Sequence, residues 1–78
     1  MIVTADIAYI IKRMLNNEIS NDEVANWVLD VLDEVLLSDN LLTEAKEIVK
    51  EIGMCNMPQF ELTDEELKKF LIRLGYPV

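Results

Sequence analysis

Apolar residues recur at helical spacing in four separate stretches of this chain. In the first, Ile7, Ile10, Ile11, Met14 and Leu15 form one stripe. It starts behind Thr4, suited to an N-cap, carries Asp6 in its first turn and reaches Lys12 and Arg13 near its end, as the helix dipole favours. The second is the longest: Val24, Trp27, Val28, Val31, Leu32, Val35 and Leu36 fall at i, i+3, i+4, i+7, i+8, i+11 and i+12. The third sets Leu41, Leu42, Ala45, Ile48, Val49 and Ile52 inward and stops at Gly53, the expected C′ residue. The fourth buries Leu67, Phe70, Leu71 and Leu74 and ends at Gly75. The pattern predicts an all-α fold, a compact bundle of four short helices over 4–16, 20–37, 40–53 and 63–75, as one domain spanning 1–78. Helix two is expected at its centre, with the rest packed around Trp27.

The polar residues between the stripes set the boundaries. Ser20 with Glu23, and Thr63 with Glu66, have capping-box spacing, and Ile19 with Val24 and Leu62 with Leu67 have the spacing of a hydrophobic staple. The signature occurring twice is read as convergence on the same cap physics, not as a functional repeat. Asn16-Asn17-Glu18 and Ser38-Asp39-Asn40 are short connections whose side chains compete for backbone hydrogen bonds. Pro58 keeps the segment from Met54 to Glu61 out of a helix, and Met54, Met57 and Phe60 are expected to fold back over the core.

Composition narrows the chemistry. At 78 residues and 51% apolar, the chain should fold, but it is too small to enclose a sizeable active site. It has no histidine and a single cysteine, Cys55, which removes an internal disulfide and most catalytic and metal chemistry. Cys55, between methionines, reads as a small buried hydrophobe, and Ser20 and Thr63 as caps without a histidine base to activate them. The expectation is no enzyme and no cofactor. The N-terminus lacks a signal-like basic and apolar pair, and no apolar run approaches the ~18 residues of a membrane span, so a cytoplasmic setting is expected.

Charge separates one region from the others. Residues 1–13 carry one acid against two bases, residues 46–78 six acids against five bases, and residues 14–45 eight acids and no base; the whole chain is at −8. The surplus lies on helix two and its flanks. Asp22, Glu23, Asn26, Asp30, Asp33 and Glu34 make up its outer face, and like charges three and four apart there cost a few tenths of a kcal/mol per pair, roughly, with no lysine to relieve them. These six are the candidate partner-binding residues, facing a protein with a basic surface. A solvated acidic face is the plain alternative. Asp30, Asp33 and Glu34 could offer oxygens to a divalent cation, but one helix does not complete a coordination shell, and no metal site is assigned. Lys68, Lys69 and Arg73 are the only local basic cluster and are offset by Asp64, Glu65 and Glu66, so nucleic-acid binding is not expected.

Leu15, Ile19, Ser20, Ala25 and Trp27, followed by Phe60, Glu65 and Glu66, resemble the pattern of a group of small, acidic, all-helical bacterial proteins of poorly defined function. Asn17 stands where that group has glycine, and Phe70 where its final helix has tryptophan. Some members look like immunity proteins, so the resemblance implies a binding role and marks no catalytic residue. The combined expectation is a small inhibitor or immunity protein whose acidic face meets a basic partner such as a toxin. The alternative is a self-associating structural or regulatory module, a homodimer for instance, using Leu29, Leu37 or Ile72 outside the main stripes.

Overall fold

Two helices of the protein begin where a side chain relieves one of the first N–H groups. The structure, a computed structural model, describes residues 2–57, 59 and 61–76. It contains α1 (Thr4–Leu15), α2 (Asn21–Leu37), α3 (Thr43–Ile52) and α4 (Asp64–Arg73) and, among the described residues, no strand. Both capping boxes form. The Glu23 N–H donates to Ser20 Oγ at 3.1 Å and the Ser20 N–H to Glu23 Oε1 at 3.3 Å; the Glu66 N–H donates to Thr63 Oγ1 at 3.2 Å.

Two starts differ from expectation. The N-cap of α1 is Val3, not Thr4, because the Asp6 carboxylate reaches back three residues to the Val3 N–H at 3.0 Å. The N-cap of α3 is Leu42, which has no side chain that can cap, and the helix starts at Thr43. Ser38 Oγ holds the Asn40 N–H instead, so the connection continues two residues further than its polar composition indicated. Leu42 is consequently 75% exposed, whereas Leu41 is buried.

Left-handed residues follow the helix end in two places. After α4, Gly75 sits at φ 89, its N–H donates to the Ile72 carbonyl and that of Tyr76 to Leu71, the double bond of a Schellman motif. After α1, Asn17 at φ 57 does the same, with Asn17 bonded to Met14 and Glu18 to Arg13. Gly53 is different: at φ −66 it remains right-handed, so a reversed backbone is not why glycine is there. A Cβ at that position would lie 2.7 Å from Val28 Cγ1. Its missing side chain lets the end of α3 press onto α2.

α2 lies chiefly on α3, α3 also touches α1, and α1 packs on α4. α1 and α3 each have two main neighbours and α2 and α4 one, so helix two is not the centre around which the others pack. The buried core runs through Ile7, Ile11, Val24, Val35, Ile48, Val49, Ile52, Cys55 and Leu71. Trp27, Val31 and Leu32 are only half-buried against it and Leu36 is 39% exposed, because a helix with one main neighbour buries the middle of a wide apolar stripe and leaves both flanks wet. Met54 and Met57 are exposed rather than folded over the core; Pro58 and Phe60 lie outside the described residues. The Cα radius of gyration, 11.4 Å, matches the ~11.5 Å of a compact chain of this length.

Candidate interaction surface

With one main neighbour, α2 gives its polar side to solvent. Asp22, Glu23, Asn26, Asp30, Asp33 and Glu34 are all exposed. Two of them also have local roles: the Glu23 carboxylate closes the capping box, and Asp22 lies close enough to Cys55 to disfavour its thiolate. Asp30 and Asp33 have no ion-pair partner among the described residues.

Three basic side chains are engaged away from α2. Lys12 lies over the Tyr76 ring at 5.4 Å and Arg13 over Tyr9 at 5.6 Å. Arg73 reaches across from α4 to Glu44 at 3.9 Å and Glu47 at 3.8 Å on α3. These exposed pairs hold charge in place more than they add stability. Lys46 is the exception: its Nζ donates to the Leu36 carbonyl at 3.3 Å. α2 has no basic residue in its own last turn, and Lys46 supplies from α3 the positive charge that its C-terminal dipole favours.

The acidic surface is wider than α2 alone. An open groove of about 650 Å³ runs between the first turns of α2 and α4, with Glu18, Glu23, Glu61 and Asp64 on its rim and Ile19 and Leu62 among its apolar lining. Glu61 and Asp64 were not among the candidates, since local charge balance made their segment look ordinary. The repeated capping box marks two helix starts; that both open onto one groove depends on tertiary packing. Among the described residues no group of His, Cys, Asp and Glu is arranged to hold a metal ion, and the Asp30, Asp33, Glu34 triplet adds none.

Cys55 is fully buried, as its apolar neighbours implied, and its S–H points to the Asn21 carbonyl at 3.7 Å. Burial raises its pKa, a backbone hydrogen bond offsets part of that, and the Asp22 charge raises it further. It is an inert thiol pinning the post-α3 segment to the start of α2. Ser20 and Thr63 are both occupied as caps. Leu29, Leu37 and Ile72, the candidates for self-association, are 74%, 82% and 61% exposed. Among the described residues no helix is long and apolar enough to cross a membrane. Comparison with family models, curated proteins and solved structures returns no match.

Proposed function

We propose that the protein works by binding, as an inhibitor or immunity protein that engages a basic protein partner, such as a toxin, through the acidic side of α2. No catalytic residue, cofactor, nucleic acid or membrane is assigned to it, and its setting is the bacterial cytoplasm. The supporting observation is that Asp30 and Asp33 stand exposed on α2 and without ion-pair partners among the described residues. An interface of that charge speeds encounter with a positive surface and selects against acidic ones. Self-association is the second reading, favoured by exposed Leu29, Leu37 and Ile72.

The test combines Asp30→Asn, Asp33→Asn and Glu34→Gln in one variant. All three residues are exposed, so the melting temperature should change little, while capture of an identified partner at moderate salt should be lost. Retention of every wild-type partner would make the face solvated surface only. Sedimentation separates the second reading: a salt-tolerant dimer favours it, and a monomer across ionic strength favours the first.

A further inference from the structure

The leucines of α2 that escape the core are ordered. Ala25, Leu29, Leu32 and Leu36 alternate spacings of four and three, the period of a helix-pairing seam. Ala25 closes one end at 7% exposed, Leu29 stands at 74%, Leu32 is half-buried and Leu36 stands at 39%. On the solvent side, Asp22, Asn26 and Asp33 follow at i, i+4 and i+11, so the seam has an acidic border one row away. Lys46 sits at the C-terminal carbonyl of Leu36, beyond Asp22 and Asp33, which have no ion-pair partner among the described residues.

Charge decides what fits. A second copy laid along the same seam would set its own Asp22 and Asp33 row beside this one, and no charged residue between 14 and 45 is basic, so every charged flank pair from these helices would be acid against acid. Resting on the binding function proposed above, we infer that the partner presents a basic amphipathic helix. Its apolar residues seat on Leu29, Leu32 and Leu36, and its Lys or Arg side chains lie over Asp22 and Asp33. The apolar seam holds the helix and the acidic border sets its rotation.

The probe is a fluorescently labelled synthetic peptide as long as α2, with leucines along one face and lysines on the other, followed by anisotropy. A scrambled peptide of the same composition but no apolar face is the control. The amphipathic peptide should bind roughly tenfold more tightly than the scrambled one, and Leu29→Asn with Leu36→Asn should remove that advantage. Leu29→Asn alone, at the more exposed site, should remove part of it with an unchanged melting temperature. Asp22→Asn with Asp33→Asn should weaken binding at low salt and converge on the wild type at high salt. Equal binding of both peptides, or leucine variants that bind as well as wild type, would overturn helix docking and leave the basic-partner reading standing. No binding of either peptide, with capture unchanged in the Asp30, Asp33, Glu34 variant, would overturn both. A salt-tolerant dimer abolished by Leu29→Asn would assign the seam to a second copy and overturn this proposal.

Discussion

Asn17 and Cys55 show how single positions carry structural demands that composition alone does not express. Asn17 closes α1 from the left-handed region, where a side chain with a Cβ is strained and asparagine is tolerated better than most. Asn17→Ala should therefore destabilise the fold by about 1 kcal/mol, and Asn17→Gly should hold or raise the melting temperature. Equal melting temperatures for the two variants would remove the conformational explanation. Cys55 has a folded pKa raised above its unfolded value, so its contribution to stability is complete below the unfolded pKa and lost as pH rises through the folded one. Wild type should lose more stability than Cys55→Ala on moving from neutral pH to above the ordinary thiol range. A thiol reagent should label it at the rate of opening, not of encounter, until denaturant is added.

At the scale of the elements, local signals were legible and neighbour choice was not. The boxes at Ser20 and Thr63 are decided within four residues of sequence, and both form. The N-cap of α1 falls at Val3 because Asp6 reaches back to it, and α3 begins late because Ser38 Oγ holds the Asn40 N–H in the connection. The stripe of α2 shows that a wide arc is apolar; it does not say that α3 covers the arc's middle while Trp27 and Leu36 remain at the edges. Gly53 belongs to the same lesson, since it reads as a helix stop and acts as a contact surface for Val28. Gly53→Ala gains helix propensity of about 1 kcal/mol, but it forces a Cβ against a stiff β-branched side chain, an overpacking cost of about 1–3 kcal/mol. The net effect in urea melts should be destabilising in wild type and neutral or stabilising in a Val28→Ala background. Destabilisation of the same size in both backgrounds would show that the close approach is not the cause.

For the molecule as a whole, the net charge of −8 matters less than its distribution. The bundle ties Lys12 and Arg13 to rings and Arg73 to Glu44 and Glu47, places Lys46 at the end of α2, and leaves Asp30 and Asp33 of α2 facing water. The acidic face was legible because eight acids stand in one stretch with no base; its extension to Glu61 and Asp64 was not, because residues distant in sequence build it. The most direct test is the affinity for an identified partner, measured across ionic strength for wild type and for the variant combining Asp30→Asn, Asp33→Asn and Glu34→Gln. If the acidic face carries the binding, wild-type affinity should fall steeply with salt, and the variant should bind weakly with a shallow salt dependence while melting at nearly the wild-type temperature. Superimposable salt curves for the two proteins would contradict it.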